Sequence, residues 1–334
     1  MQDIYRHQIV VVTGAGAGVG RATAREFAKQ GCDVALLSRE QDRLENAAAE
    51  LRGLGVRALA IPTDVADPSA VEAAAEQVER ELGPIDVWVN VAMATVFSPV
   101  EELTAEEVKR GTEVTYLGQV YGMMSALKRM RPRNRGAIVN VGSALAYRSV
   151  PLQAIYCGGK AAIRGFTDSL RCELLHQKSN IHITMVQLPA VNTPQFDWAM
   201  NKTGYRARPV APVYEPEVPA KAIVFAASHR RREIWVGIPT VAAIVGNFVA
   251  PGLLDRYLGK TGYRSQTTKT PVNPEQPNNL YEPVKGGYGA RGRFGSEAYN
   301  GSLELFTDRH QIAAYAALGG LLLAVHLLAK KYDF

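Results

Sequence analysis

Ser143, Tyr156 and Lys160 have the side-chain types and the spacing that acid–base chemistry on a substrate oxygen requires. Tyr156 and Lys160 are four positions apart, and on a helix this brings their Cβ atoms to about 5–6 Å on one face. A neighbouring ammonium favours the phenolate, so we expect Lys160 to lower the pKa of Tyr156 from its ordinary value of about 10. Ser143 could hydrogen-bond the same substrate oxygen. Because Tyr-x3-Lys pairs are common on helix surfaces, this interpretation depends on the surrounding elements.

The composition is that of an ordinary globular protein, with 47% apolar and 21% charged residues in a chain of 334 residues. Such a length allows one large α/β domain with appendages, or two small domains. The net charge of +6 is spread out, and its densest basic run, residues 128–135, fits a solvated helix end. Without a binding motif this charge does not indicate nucleic acid as a partner. The cysteines show no metal-ligand spacing and the first eight residues are polar, so we expect a cytoplasmic catalytic domain.

A buried strand, a glycine-rich turn and an amphipathic helix open the chain. Ile9–Val12 is a continuous apolar run, and a helix is expected over Gly18–Gln30. The turn between them reads Thr13-Gly14-Ala15-Gly16-Ala17-Gly18-Val19-Gly20. Glycines there let main-chain N–H groups approach a phosphate at the positive end of the helix. The spacing is T-G-x3-G-x-G rather than G-x-G-x-x-G, and in this context it predicts a dinucleotide phosphate site.

Ser38 and Arg39 follow the second strand, Asp33–Leu37. In dinucleotide-binding folds an acidic residue at this place binds the ribose 2′-hydroxyl, whereas an arginine accommodates a 2′-phosphate. The sequence therefore favours NADP(H), with NAD(H) possible. The alternative is that Arg39 is an ordinary surface residue before the helix Glu40–Arg52.

The alternation of strand and helix continues as far as residue 240. We predict further strands at Ala58–Pro62, Val87–Asn90, Ala137–Val141, Ile181–Leu188 and Glu233–Val236, and helices at Pro68–Leu82, Thr104–Met130, Pro151–His176 and Glu217–Ser228. This rhythm predicts a parallel, doubly wound α/β sheet with its ligand at the carboxyl ends of the strands. Asp64 lies just past one such end and could meet the adenine, and Ser143 lies just past another.

Over residues 5–240 the chain resembles the short-chain dehydrogenase/reductase family. The resemblance is carried, in chain order, by Thr13-Gly14-x3-Gly18-x-Gly20, Asp64, Asn90-x-Ala92, Ser143, Tyr156-x3-Lys160 and Pro189-x3-Thr193. It implies a Rossmann-like sheet of seven strands and hydride transfer between NAD(P)(H) and a carbonyl/alcohol pair, usually in a homodimer or homotetramer. By the same resemblance Tyr156 is the acid/base, Ser143 polarises the substrate oxygen, and Lys160 holds the nicotinamide ribose.

The cofactor-binding residues expected on this basis are Thr13, Gly14, Gly18, Val19, Gly20, Ser38, Arg39, Asp64, Val65, Asn90, Ala92, Tyr156, Lys160, Pro189 and Thr193. Three positions depart from the family pattern. Met93 and Ala190 replace glycines, and Thr115 stands where an asparagine usually completes the proton relay. Thr115 is therefore a candidate catalytic residue only if its hydroxyl can hold a water molecule.

A long loop, Val191–Pro216, contains several aromatic side chains and lies where a lid over the substrate is expected. These side chains predict an apolar substrate, although they could instead pin the loop to the body of the protein. Residues 241–260 are strongly apolar but are interrupted by Pro251. They predict a helical extension that packs on the body, on a partner subunit or on a bilayer surface.

The last part of the chain changes character again. Residues 261–303 are rich in Pro, Gly, Asn and Gln and predict a poorly ordered linker, pinned locally at Leu280-Tyr281. Residues 304–334 predict a hydrophobic helix, because Ile312–Ala329 has 18 residues without Asp, Glu, Lys or Arg. Such a helix is about 27 Å long, close to the thickness of a bilayer core. A membrane anchor is the first interpretation, and a helix docked on the enzyme or between subunits is the alternative.

Together these features predict an NADP(H)-dependent oxidoreductase that transfers hydride between the nicotinamide and a hydrophobic ketone, aldehyde or alcohol. The alternative is a low-activity NADP(H)-binding scaffold or redox sensor, which the unusual Thr115 and Met93 favour. A sugar epimerase or dehydratase is disfavoured by the glycine spacing and by the lack of a second sugar-nucleotide domain.

Overall fold

The computed structural model describes residues 7–273 and 275–302. Its centre is a parallel sheet of seven strands in the spatial order β3-β2-β1-β4-β5-β6-β7. In chain order the strands are β1 (Ile9–Thr13), β2 (Asp33–Ser38), β3 (Ala58–Pro62), β4 (Val87–Asn90), β5 (Ala137–Val141), β6 (His182–Gln187) and β7 (Glu233–Trp235). The strand order reverses between β1 and β4, which confirms the doubly wound Rossmann-like sheet.

Helices cover both faces of this sheet, and two further helices follow its last strand in the chain. They are α1 (Gly18–Lys29), α2 (Gln41–Arg52), α3 (Pro68–Glu81), α4 (Ala105–Thr112), α5 (Gly118–Met130), α6 (Ala154–His176), α7 (Gln195–Trp198), α8 (Glu217–Ser228), α9 (Ile238–Val249) and α10 (Pro251–Gln266). The apolar run of β1 serves two cores: Val10 and Val12 belong to one, and Val11 belongs to the other. Successive strand residues point to opposite faces, so a strand covered on both faces needs apolar residues without interruption.

The single helix predicted over Thr104–Met130 is interrupted. Between α4 and α5 the chain forms a wider π-type turn, Glu113–Leu117. Thr115 ties this turn to the loop after β4, because its Oγ1 donates to the carbonyl of Ala94 at 2.9 Å and accepts from the Ala94 N–H at 3.0 Å. The turn therefore lies beside the ligand-bearing edge of the sheet, and π-type turns are frequent at functional sites.

Two other predicted helices also differ in their bounds. The helix predicted from Pro151 begins at Ala154, because Leu152 has a left-handed φ of 66° that no α-helix accommodates. The apolar segment predicted as one extension is two helices that meet at Pro251. Pro251 has no main-chain N–H to donate to a carbonyl of α9, so α9 ends before it and α10 begins at it.

The residues predicted as a poorly ordered linker make defined contacts. The predicted boundary at residue 260 falls inside α10, which runs to Gln266. The following strand, Thr267–Pro271, pairs antiparallel with Tyr205–Ala207, and Ala298–Tyr299 pairs parallel with Val213–Tyr214. Composition gave no sign of these pairings because their partners lie in a distant part of the chain.

The hydrophobic helix predicted over residues 304–334 lies outside the described residues. Among the helices that the structure does describe, none is both long and apolar enough to cross a bilayer.

Candidate active site

A cavity of about 550 Å³ lies along the carboxyl ends of the central strands. It brings together most of the site residues predicted from the sequence: Gly14, Gly18, Val19, Gly20, Ser38, Arg39, Asp64, Val65, Ala92, Ser143, Tyr156, Lys160, Pro189 and Thr193. Thr13, Asn90 and Thr115 are buried and are not among the described residues that line it. Ligands of doubly wound sheets bind at this edge.

The turn after β1 is compact enough that only glycine fits at two of its positions. Gly14 has a left-handed φ of 68°, and a Cβ atom there would lie 2.9 Å from the Cα of Ala92. A Cβ atom at Gly20 would overlap the carbonyl of Gly14. Thr13 stabilises the turn from behind, since its Oγ1 accepts from the N–H groups of Val91 at 3.0 Å and Ala92 at 3.2 Å.

Ser143 and Tyr156 stand next to each other on different elements. Ser143 lies two residues after the end of β5, and its Oγ accepts a hydrogen bond from the N–H of Leu145 at 3.1 Å. Tyr156 lies in the first turn of α6 and hydrogen-bonds with Ser143. Withdrawal of the phenol from water raises the pKa of Tyr156 to about 12, although the hydrogen bond to Ser143 acts in the opposite direction.

Lys160 lies one turn further along α6 and is almost fully buried. Its Nζ donates to the carbonyl of Val141 at 2.6 Å and lies 5.6 Å from the centre of the Tyr156 ring. Burial lowers the pKa of Lys160 to about 7, because an ammonium loses its hydration there. The pKa of Tyr156 is thus raised rather than lowered in this structure, because desolvation is its largest cause and Lys160 is not among its causes.

The side chains of Asn90 and Thr115 form hydrogen bonds with other buried groups of the protein. The amide of Asn90 accepts from Trp88 Nε1 at 2.9 Å and donates to Asn140 Oδ1 at 2.9 Å. The single hydroxyl proton of Thr115 is donated to Ala94. Neither side chain is thus directed at the Tyr156 hydroxyl in this structure, and the role predicted for each remains a prediction.

Arginines cluster at the far end of the cavity, beyond the glycine turn. Arg39 and Arg43 line the cavity, and Arg110 donates to Asp64 Oδ2 at 2.6 Å. Burial lowers the pKa of both Arg39 and Arg43. Arg43 and Arg110 were not predicted, although Arg43 lies in the first turn of α2, directly after the segment that carries Arg39.

The other end of the cavity, beside Ser143 and Tyr156, has mainly apolar walls. The loop after β6 contributes the buried ring of Phe196, and the helical extension contributes Leu254, Tyr257 and Leu258. The ring of Trp198, from the same loop, lies at the arginine end, with its centre 4.9 Å from the guanidinium carbon of Arg43. The predicted lid and the predicted apolar extension therefore meet around one space.

A hydrogen-bond chain fixes the helical extension beside this space. Gln153, directly before α6, donates to Gln266 Oε1 at 2.6 Å, and Gln266 donates to the carbonyl of Pro151 at 2.8 Å. Both glutamines are buried. The last residue of α10 is thus connected to the start of the helix that carries Tyr156.

The site geometry agrees with comparisons to known proteins. The family model described as short chain dehydrogenase matches residues 8–202, more than half of the chain. The chain belongs to the short chain dehydrogenase family. It is accordingly an oxidoreductase of this family, and the sheet order described above is the family's Rossmann-like fold.

Relatives within the short chain dehydrogenase family differ in how much of this chain they cover. An uncharacterized oxidoreductase of Bacillus subtilis, YxnA, is 31% identical over 322 residues, which are 95% of this chain and 89% of the relative. The 3-ketodihydrosphingosine reductase of Bos taurus is 31% identical over 223 residues, 64% of this chain and 67% of the relative. The crystal structure of L-sorbose reductase from Gluconobacter frateurii with NADPH and L-sorbose aligns with a TM-score of 0.62 at 28% identity, covering 69% of this chain and 95% of that one.

The cavity fits a dinucleotide of the kind used by this family. The glycine turn leaves no room for side chains beside the N-terminus of α1, where main-chain N–H groups attract phosphate. Among the described residues no carboxylate lies within 4 Å of the Arg39 guanidinium, and the buried Nε of Arg43, 3.7 Å from Glu40 Oε2, has no hydrogen-bond partner. These two cations can therefore still accept an anion.

Proposed function

We propose that the protein is an NADP(H)-dependent oxidoreductase that reduces a ketone or aldehyde group on an apolar molecule, or oxidises the corresponding alcohol. The observation that carries this proposal is the cavity itself. Ser143 and Tyr156 stand side by side at its apolar end, and the same cavity continues to the glycine turn and to Arg39. One space can thus hold a dinucleotide and an apolar carbonyl compound in contact with each other.

In the reductive direction the chain's own residues would deliver the proton. NADPH, when bound, would supply the hydride for the carbonyl carbon. Tyr156, with a pKa of about 12, keeps its proton at neutral pH and can donate it to the carbonyl oxygen. The Ser143 hydroxyl offers a second hydrogen bond to that oxygen as negative charge develops there. Lys160, with a pKa of about 7, can exchange a proton near neutral pH and so help to restore the phenol.

The apolar substrate class is supported by the walls of the cavity. Phe196, Leu254 and Leu258 line the end that contains Tyr156, and a pocket with few polar groups gains affinity mainly by covering apolar surface. The two named relatives differ in the class of their substrate. One is named for a ketodihydrosphingosine, and the other was solved with a sugar. The lining of this chain's cavity favours the less polar of these two classes.

The preference for NADP(H) is supported by Arg39, which lines the cavity directly after β2 without a carboxylate partner within 4 Å among the described residues. A guanidinium forms strong, often paired hydrogen bonds with phosphate oxygens. The structure of L-sorbose reductase contains NADPH, which agrees with this proposal for a related protein.

The proposal is tested by following NADPH oxidation with a panel of apolar ketones and aldehydes of increasing chain length. Tyr156→Phe should lower kcat by about 100-fold or more, the usual contribution of a positioned proton donor, and should leave NADPH binding largely unchanged. Tyr205→Phe is a matched control, because the Tyr205 ring is exposed and outside the cavity lining. Equal turnover by wild type and Tyr156→Phe would contradict the assigned mechanism.

A second candidate is an NADP(H)-binding scaffold or redox sensor with little turnover. It is favoured by the hydrogen bonds that Thr115 and Lys160 make to main-chain carbonyls, because these bonds keep both groups from a proton relay. The same experiment separates the two functions. A scaffold would bind NADPH tightly and oxidise it with none of the carbonyl compounds.

A further inference from the structure

The cofactor end of the cavity is bordered by a segment far away in the sequence, which we call the strap and define as residues 278–294. Asn279, Pro283 and Val284 of the strap line the cavity. The strap is anchored by Leu280, whose side chain is fully buried in one of the two cores of the domain. It follows the sheet edge from the arginine cluster to the loop after β6.

The strap holds the guanidinium of Arg39 through main-chain carbonyl groups. Arg39 Nη1 donates to the carbonyls of Tyr281 at 2.6 Å and Leu280 at 3.4 Å, and Nη2 donates to the carbonyl of Asn279. A guanidinium has five N–H donors, so these three bonds fix its orientation and leave donors for another ligand. Carbonyl groups also leave its full positive charge in place, which a carboxylate would neutralise.

Arg43 is held by the strap in a similar way. Its Nη2 donates to the carbonyl of Val284, and its guanidinium carbon lies 4.9 Å from the ring centre of Trp198 and 5.5 Å from that of Tyr288. Its Nε lies 3.7 Å from Glu40 Oε2 and has no hydrogen-bond partner among the described residues. The nearby Glu40 carboxylate caps α2, accepting from the Arg43 N–H at 2.7 Å, so it is already engaged.

The middle of the strap also reaches the glycine turn. The N–H of Gly18 donates to the carbonyl of Gly289 at 3.2 Å, and Arg21 Nη1 donates to the carbonyl of Tyr288 at 3.4 Å. Further on, the N–H of Phe294 donates to Asn192 Oδ1 at 2.9 Å. The strap is therefore in contact with both places where the phosphates of NADP(H) are expected.

We propose that the strap is a part of the NADP(H) site, and that its main-chain carbonyls position Arg39 and Arg43 to bind the 2′-phosphate. The proposal deepens the function proposed above and rests on it. The physical reason is contact rather than net charge: Asp64, Glu40 and Glu282 equal Arg39, Arg43 and Arg110 in number, but among the described residues no carboxylate lies within 4 Å of the Arg39 guanidinium. Carbonyl dipoles make this cluster tolerable in a partly buried place without removing its attraction for an anion.

The test compares the dissociation constants of NADPH and NADH for wild type and two leucine variants. Leu280→Ala removes the buried anchor and should weaken NADPH binding by about tenfold, the equivalent of one hydrogen bond to a charged group, with little effect on NADH. Leu175→Ala is the matched control, because it removes an exposed leucine that lies outside the strap and the cavity lining. It should bind both dinucleotides as wild type does.

A second measurement on the unaltered protein covers the case in which Leu280→Ala does not fold. The ligand 2′,5′-ADP, which carries the 2′-phosphate, should slow hydrogen–deuterium exchange of the amides in residues 279–284, whereas 5′-AMP should not. Equal losses for NADPH and NADH in Leu280→Ala, unchanged binding of both, or exchange that is the same with both nucleotides would each overturn the proposal. Failure of the proposed function would appear separately, as NADPH that binds but is not oxidised with any carbonyl compound.

Discussion

The acid–base character of Tyr156 and Lys160 is set by the water that each side chain loses on folding. Spacing on a helix puts the two groups near each other, and it led us to expect a lowered tyrosine pKa. The structure buries Lys160 and half-buries Tyr156, and the loss of water raises the pKa of Tyr156 to about 12 and lowers that of Lys160 to about 7. Both groups thus favour their neutral forms, since a buried charge is costly unless it is paired. A neutral phenol is the form that donates a proton to a carbonyl oxygen.

Lys160 gives a prediction on stability. The folded protein releases the Lys160 proton at a pKa of about 7 and the unfolded chain at about 10.5, so between these values only the unfolded chain holds the proton. The free energy of unfolding should therefore rise with pH across this window, by up to about 1.4 kcal/mol per unit. Lys160→Met should lose this contribution to the slope, which denaturant unfolding between pH 8 and 10 measures. Lys109→Met, which changes an exposed lysine, should keep the wild-type slope, and identical slopes for Lys160→Met and wild type would refute the assignment.

At the scale of elements, the position of α6 depends on close packing against the π-type turn. Gly159 of α6 faces Thr115, and a Cβ atom at Gly159 would lie 2.9 Å from Thr115 Cγ2. Thr115 cannot easily move away, because its hydroxyl holds the main chain of Ala94. The residue that departs from the family pattern thus has a structural use. It holds the helix that carries Tyr156 and Lys160 at a fixed distance from the loop after β4.

Adjacent glycines in α6 test this packing. Gly158→Ala should stabilise the protein by about 1 kcal/mol, because alanine favours helices and Gly158 faces open space. Gly159→Ala should instead destabilise it by about 1–3 kcal/mol through overpacking and lower kcat as α6 shifts. Thr115→Ser removes Cγ2 and keeps the hydroxyl, so combining it with Gly159→Ala should restore stability and activity. Calorimetry measures the stability and turnover assays measure kcat. Additive losses in the double variant would show that a Cβ atom at position 159 does not clash with Thr115 Cγ2.

For the whole molecule, the sequence was informative wherever a local pattern decides the structure. Continuous apolar runs such as Ile9–Val12 predicted the strands of the sheet, and the glycine turn with Ser143 and Tyr156 predicted which edge carries the site. The strap was not predictable in this way. Arg39 and Asn279 are 240 positions apart, and main-chain carbonyls that bind an arginine leave no mark on residue type. A segment rich in proline, glycine and asparagine also has the composition of a loose linker, whatever its contacts.

Two parts of the chain are candidates for contact with a membrane. Among the described residues no helix can span a bilayer, and residues 304–334 are the segment whose sequence predicts an anchor. A surface contact has another candidate, since Phe248, Val249 and Leu253 at the junction of α9 and α10 are exposed. If the tail is the anchor, removal of residues 305–334 should transfer the protein from the membrane pellet to the supernatant, while Phe248→Ser with Leu253→Ser should leave it in the pellet. The opposite pair of results would assign the contact to the α9–α10 junction, and wild-type protein in the supernatant would refute both, because neither apolar surface would then be binding lipid.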